Sequence, residues 1–177
     1  GTVITDLPAL LSRRVDPRTG TVLAWGAAHA GDAANAIPRD GALRGTVRTA
    51  DERVWAELDP LISDLVRAVV APTGVEVSVD HQRGVPPVIN DECSTEILRR
   101  GIADAVGEHA LYDMEQSSGG EDFAWYTQRI PGSFARLGVA SGQGVAHDIH
   151  RPSFTLDERA LPVGVRVLVH AALAALG

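Results

Sequence analysis

The sequence predicts an α/β protein built in two parts, and three observations carry that expectation. Between Ile4 and Asp80 the hydrophobic pattern runs helix, strand, strand, helix, strand. At Gly84-Val85-Pro86-Pro87 the character changes, which places the boundary between residues 1–86 and 87–177. Beyond it helices alternate with short strands, as in an α/β layer. One further strand in front of the first part would complete the split βαββαβ order of a ferredoxin-like sheet carrying two helices on one face. Residues 1–86 are therefore expected to form an incomplete ferredoxin-like α+β domain whose first strand lies upstream of Gly1.

Each element has a local reason. Ile4, Leu7, Leu10 and Leu11 are spaced as one face of a helix over 4–14, ended by the turn Asp16-Pro17-Arg18-Thr19-Gly20. Residues 21–28 are largely apolar and predict a strand, and 30–40, rich in small residues, predict a loop. In 42–49, Leu43, Gly45 and Val47 alternate with Arg44, Thr46 and Arg48, the pattern of a half-buried strand. Asp51 can cap a helix in which Val54, Leu58, Leu61, Leu65 and Val69 share a stripe, and Pro72-Thr73-Gly74 stops it. Val75, Val77 and Val79 alternate with Glu76, Ser78 and Asp80, predicting a third strand. The second part reads as a helix near 92–106, a strand at 110–114, a helix at 121–129, a strand at 133–139, a long loop to Thr155 and a final apolar helix ending at Leu176. Two strands make a poor sheet by themselves, so this part too reads as the remainder of something larger.

Composition narrows the function. Apolar content of 45% with 22% charge is that of a soluble globular protein. A formal charge of −7 argues against nucleic-acid partners, which require a basic face. All 16 basic residues are arginine; the absence of lysine is read as compositional bias and given no functional weight. Cys93 is the only cysteine, which excludes an intrachain disulfide and fits a reducing compartment. No apolar run approaches a membrane span and the first residues of the sequence show no charged-then-apolar signal pattern, so the expected location is cytoplasmic.

The residues with chemical character collect late in the chain. Gly119-Gly120-Glu121-Asp122-Phe123 places an acidic pair at an expected helix start, and Pro131-Gly132-Ser133-Phe134 follows. His147-Asp148-Ile149-His150-Arg151-Pro152-Ser153-Phe154 puts two histidines in a loop, before Asp157-Glu158-Arg159-Ala160-Leu161-Pro162. A loop histidine beside a stiffening proline is a better metal-ligand candidate than one on a helix face, yet a hydrolytic metal site needs three or four ligands.

Together with Asn35-Ala36-Ile37-Pro38 and Leu43-Arg44-Gly45-Thr46-Val47-Arg48-Thr49, these segments resemble the metal-dependent amidohydrolases of the aminoacylase and carboxypeptidase G superfamily. The nearest branch holds hippurate hydrolases, N-acyl-amino-acid deacetylases and indole-acetyl-amino-acid hydrolases. The resemblance implies that residues 1–86 are most of a lid that also mediates homodimerisation. It implies that 87–177 are the carboxyl-terminal part of a three-layer α/β/α metallopeptidase-like catalytic domain. The implied cofactor is a divalent metal, zinc or manganese, which polarises the amide carbonyl and lowers the pKa of its bound water while a glutamate moves the proton to the leaving nitrogen.

His150 matches the last ligand of that site, whereas the general base and the other ligands are expected upstream of Gly1. The chain by itself is then expected to be inactive. Asn35 and Arg48 are implied to hold the carboxylate or amide of an N-acyl amino acid, with His29 near the Asn35 loop a further candidate for the substrate site. Glu121 and Asp122 are implied to orient loops near the metal.

Each residue keeps an ordinary alternative. His150 and His147 can be plain surface residues, His29 the polar end of a strand, Arg48 a solvated residue on an open face and Asn35 a turn former. Glu121 and Asp122 can simply favour a helix dipole, and Cys93 can be a half-buried small residue. The competing function is a non-catalytic module that dimerises or binds a small acid.

Overall fold

A computed structural model describes residues 1–117, 119–142 and 147–177. Its helices and strands are α1 (Thr2–Arg14), β1 (Val22–His29), β2 (Ala42–Arg48), α2 (Glu52–Val70), α3 (Glu92–Val106), α4 (Ala124–Thr127) and α5 (Ala160–Leu176). They fall into two compact units, residues 1–87 with 116–122 and residues 88–115 with 123–177.

The first unit is organised by apolar spacing on its two helices. Leu7 and Leu11 of α1 meet Leu58, Ile62, Leu65 and Val66 of α2, and Leu23, Trp25 and Val47 of the sheet pack against that cluster. Leu7 is fully enclosed. The buried stripe of α2 is shifted from the expected one: Leu58 and Leu65 are joined at its centre by Ile62 and Val66, while Val54 and Leu61 pack half-buried against the cluster. The helical period was legible, but apolar residues flank the stripe on both sides, and packing against α1 decides which of them turn inward.

β1 and β2 pair antiparallel, with Val22 opposite Arg48 and His29 opposite Ala42. The register breaks between Trp25, opposite Gly45, and Ala27, opposite Arg44, leaving Gly26 as the extra residue of a bulge. Gly45 is required by close approach: a Cβ there would lie 2.8 Å from both the Trp25 ring and the Ala24 carbonyl oxygen. Asp51 caps α2 as expected, accepting from the Val54 N–H at 2.9 Å. Gly74, at φ 68°, closes the turn after it.

Both helices carry an internal proline, Pro8 in α1 and Pro60 in α2. A proline has no N–H to give the carbonyl four residues back. In each case a side chain supplies the missing donor. Trp25 Nε1 donates to the Ile4 carbonyl at 3.3 Å, and Arg83 Nη2 donates to the Ala56 carbonyl at 3.0 Å. The Arg83 guanidinium also lies 4.9 Å from the centre of the Trp55 ring.

The expected third strand at 75–79 does not form. Val79 still packs on the core, but no ladder joins 75–80 to another strand among the described residues. Of the ferredoxin-like sheet that was expected, only the antiparallel pair β1 and β2 forms among the described residues. Alternation sets which side chains face inward, whereas a strand also needs a neighbour for its N–H and C=O groups.

The same distinction overturns two strands of the second unit. Residues 108–110 form a 3₁₀ turn and 110–114 no strand, while 133–139 is held by side chains instead of a ladder. Asn90 Nδ2 donates to the Phe134 carbonyl at 3.0 Å and its Oδ1 accepts from the Phe134 N–H at 2.9 Å, so this amide stands in for a neighbouring peptide. Asp91 N–H donates to the Gly132 carbonyl at 2.9 Å, and the Thr95 and Ser133 hydroxyls lie 3.0 Å apart.

α3 starts at the Asp91 cap, whose carboxylate takes the Ser94 N–H at 2.7 Å and the Ser94 hydroxyl at 2.8 Å. Those two donors, with further help from the Cys93 N–H, lower the Asp91 pKa. The helix expected at 121–129 shrinks to the single turn of α4, because Gly119-Gly120 precede it, Pro131 follows, and Phe123 offers no side-chain cap. α3 and α5 cross so closely that a Cβ on Gly101 would lie 2.5 Å from the Ala171 Cα.

Candidate functional site

The three residues expected to contact substrate sit on the first unit, all exposed. His29 ends β1, with Nε2 3.7 Å from Asp32 Oδ1. Asn35 lies in the turn closed by the Ala36 N–H on the Ala33 carbonyl at 3.4 Å, the local structure a turn former provides. Arg48 ends β2 opposite Val22.

Cross-strand pairing puts His29, opposite Ala42, on the same sheet face as Arg44, Thr46 and Arg48, away from the Leu23–Trp25–Val47 core. The six residue steps from Ala42 to Arg48 nevertheless separate the two ends by about 20 Å. The fold brings Asn35 and His29 to one end of the strand pair and Arg48 to the other. A small N-acyl amino acid cannot touch both ends of one such sheet.

Glu121 is half-buried and Asp122 exposed, and both belong to the first unit. They precede α4 instead of opening it, and a single helical turn offers little dipole, so that explanation for the acidic pair loses its footing. Gly120 ahead of them is a tight spot: a Cβ would fall 2.9 Å from Val85 Cγ2.

His147 and His150 are exposed on the second unit, and residues 143–146 lie outside the described set. The backbone around His150 is organised by a residue that the motif reading passed over. Asp148 Oδ1 accepts from the His150 N–H at 3.0 Å, and its carbonyl takes the Arg151 N–H at 3.0 Å. The spacing Asp-x-His was the available signal, since an aspartate commonly bonds the N–H two residues on.

Asp157 closes the same loop. Its N–H donates to the Val139 carbonyl at 2.8 Å, and its carboxylate takes both the Arg159 side chain and the Arg159 N–H. The Arg159 guanidinium, followed by that N–H, brings the Asp157 pKa down to about 2. Asp16 and Arg18 repeat the device in the first unit, where the Arg18 side chain and then its N–H hold Asp16 below the usual carboxylate value.

Among the described residues no three or more His, Cys, Asp or Glu side chains are grouped to hold a metal ion. His150 therefore belongs to no group of three among them, and the described residues do not complete the divalent metal site that the resemblance implied. Cys93 is exposed, not half-buried as expected. Two surface hollows involve none of the expected site residues: one of about 410 Å³ is lined by Trp125, Tyr126, Arg129 and Ile130, the other of about 510 Å³ by residues of the first turns of α3. No helix among the described residues is long and apolar enough to cross a membrane.

Comparison with known proteins places these features in a family. The model of peptidase family M20/M25/M40 matches residues 4–174. The chain is 48% identical over 167 residues to a Rhodococcus jostii protein bearing the name glutamate–cysteine ligase 2-3, covering 94% of this chain and 21% of that protein. It is 34% identical over 159 residues to the N-acetyl-L-cysteine deacetylase of Bacillus subtilis, covering 90% of this chain and 37% of the deacetylase.

Among solved structures, an aminohydrolase from methicillin-resistant Staphylococcus aureus superposes with a TM-score of 0.84 at 24% identity, over 97% of this chain and 44% of that one. The YXEP protein of B. subtilis, described as a dinuclear metal-binding peptidase of the M20 family, superposes at 0.76 with 26% identity, over 96% of this chain and 46% of that one. The chain spans less than half the length of each of these proteins.

Proposed function

The chain belongs to peptidase family M20/M25/M40, and from that premise we propose that it contributes to metal-dependent hydrolysis of the amide bond in N-acyl amino acids or related small amides. The observation that carries this reading is the family match over 4–174, supported by a relative named for deacetylating N-acetyl-L-cysteine. The ligase name of the Rhodococcus relative is not carried over, since only 21% of that protein matches.

In this reading residues 1–86 serve as the lid and homodimerisation domain and 87–177 as part of a three-layer α/β/α catalytic domain. His150 is the one metal ligand this chain supplies, with Asp148 fixing its backbone. The remaining ligands and the general base come from polypeptide outside these 177 residues. A zinc or manganese ion supplies the polarised carbonyl and the activated water. Glu121 and Asp122 steady loops near it.

Arg48 and the Asn35–His29 end of the strand pair cannot serve one substrate molecule within one sheet. If both ends bind substrate they do so in different sites, as two copies of a homodimeric lid allow. The protein works in the cytoplasm.

The test is direct. Release of free amine from N-acetyl-L-cysteine and a panel of N-acyl amino acids is followed with the natural polypeptide that carries this sequence, with zinc or manganese added. Hydrolysis that a chelator abolishes supports the reading. Metal-saturated protein that leaves every amide intact refutes it.

A further inference from the structure

The loop that joins β1 to β2, residues 30–41, is pinned at its base and bare at its tip. Gly31, at φ 67°, lies so close to Pro38 that a Cβ on it would fall 2.8 Å from the proline Cγ. A Cβ on Gly41 would fall 3.1 Å from the His29 carbonyl oxygen. Between these close approaches the Ala36 N–H closes a turn on the Ala33 carbonyl at 3.4 Å. From Ala33 to Ile37 every residue is alanine except Asn35 and Ile37. Ile37 is 97% exposed, the highest value for a large apolar side chain among the described residues.

A single exposed aliphatic side chain is ordinary on a protein surface. This one does nothing for its own loop, whose shape comes from the two glycines, Pro38 and the 33–36 turn, and it takes no part in the core of the first unit. Its setting suits a binding contact. Two residue steps put the Cα atoms of Asn35 and Ile37 no more than about 7 Å apart, so one small molecule reaches both. A side-chain amide that donates and accepts, beside a branched hydrocarbon, matches a ligand in which an amide adjoins a hydrocarbon chain.

Charge decides which half of an N-acyl amino acid that is. Residues 30–41 carry Asp32, Asp40 and Arg39, two acids against one base, so this end of the strand pair disfavours an α-carboxylate. The acyl half is neutral, and apolar beyond its carbonyl, and meets no such repulsion.

We propose that Ile37 determines acyl-group specificity, covering the hydrocarbon of the acyl chain while Asn35 holds the amide. The proposal rests on the amide-hydrolase reading above and deepens it by naming the half of the substrate that this loop reads.

The experiment uses the natural polypeptide that carries this sequence, loaded with zinc or manganese, in parent, Ile37→Ala and Ile37→Leu forms. Acetyl, butanoyl and hexanoyl derivatives are made of the amino acid that the panel above shows to be accepted best. The parent should favour the hexanoyl compound, and Ile37→Ala should lower the hexanoyl-to-acetyl ratio of kcat/KM about tenfold, chiefly through KM. Ile37→Leu, which keeps the apolar volume, should hold that ratio within about twofold of the parent. The thermal midpoint of Ile37→Ala should match the parent's, as for an exposed residue.

A ratio that Ile37→Ala leaves unchanged overturns the proposal. An equal fall for all three acyl groups with a lower thermal midpoint overturns it too, since a segment of protein or a second copy then covers the side chain in place of substrate. Metal-saturated parent that hydrolyses none of the amides refutes the functional reading and the proposal with it. Hydrolysis with an unaltered ratio refutes the proposal alone.

Discussion

Replacing Arg83 with alanine tests whether a distant side chain stands in for the N–H that Pro60 lacks. The Arg83→Ala change removes the 3.0 Å bond to the Ala56 carbonyl and the cation 4.9 Å from the Trp55 ring. The carbonyl is near solvent, so water recovers part of the loss. A net hydrogen bond of about 0.5–1.5 kcal/mol and an exposed cation–π contact of about 0.5–1 kcal/mol predict a destabilisation of about 1–2 kcal/mol.

In a Pro60→Ala background the helix regains its own N–H donor to Ala56, and the hydrogen-bond part of that cost should vanish. The expected coupling between the two substitutions is therefore about 1 kcal/mol. Urea unfolding followed by the fluorescence of Trp25 and Trp55, in a Trp125→Phe background that silences the second unit, measures all four corners of the cycle. A cost for Arg83→Ala that is the same with proline or alanine at position 60 would refute the reasoning.

The companion site predicts that Trp25→Phe, which removes the donor 3.3 Å from the Ile4 carbonyl, costs about 1–3 kcal/mol by leaving a partly buried acceptor unmatched, read in the same unfolding assay. Gly101→Ala should destabilise the second unit by about 1–3 kcal/mol, since the new Cβ would stand 2.5 Å from the Ala171 Cα; thermal unfolding monitored by circular dichroism checks it, and an unchanged midpoint contradicts so close a crossing. Asp157 has a folded pKa of about 2 against an ordinary 3.8, so its contribution to stability is present above pH 3.8 and is lost as the pH falls through about 2. Carboxyl carbon shifts followed by NMR should show that low titration, and Arg159→Ala should return it toward the ordinary value.

Much of the first unit was legible because its signals are local. The Asp51 cap, the Leu7–Leu11 spacing and the alternation of 42–48 each determine structure from a few neighbouring residues. The helix at 92–106 was equally plain, and the structure starts it at the Asp91 cap and ends it before Gly107. What could not be read were the strands that depend on partners. Val75–Val79 and residues 133–139 have the right composition, yet a ladder is a property of two segments.

The candidate site divides along the same line. His150 and Asn35 sit in loops as their neighbours Pro152 and Pro38 indicate, but the distance between Arg48 and His29 follows from strand register, which composition does not encode. The donors that rescue the Ile4 and Ala56 carbonyls were likewise invisible, because they arrive from 21 and 27 residues away in sequence.

The central claim is that this chain supplies a metal ligand to an amide hydrolase, and one comparison tests it most directly. The natural polypeptide that carries this sequence and its His150→Ala variant are loaded with zinc or manganese, dialysed, and analysed for bound metal and for release of amine from N-acetyl-L-cysteine. The account predicts that the variant loses bound metal and at least a hundredfold in hydrolysis while its circular dichroism is unchanged. Equal metal content and equal hydrolysis in the two proteins would contradict it.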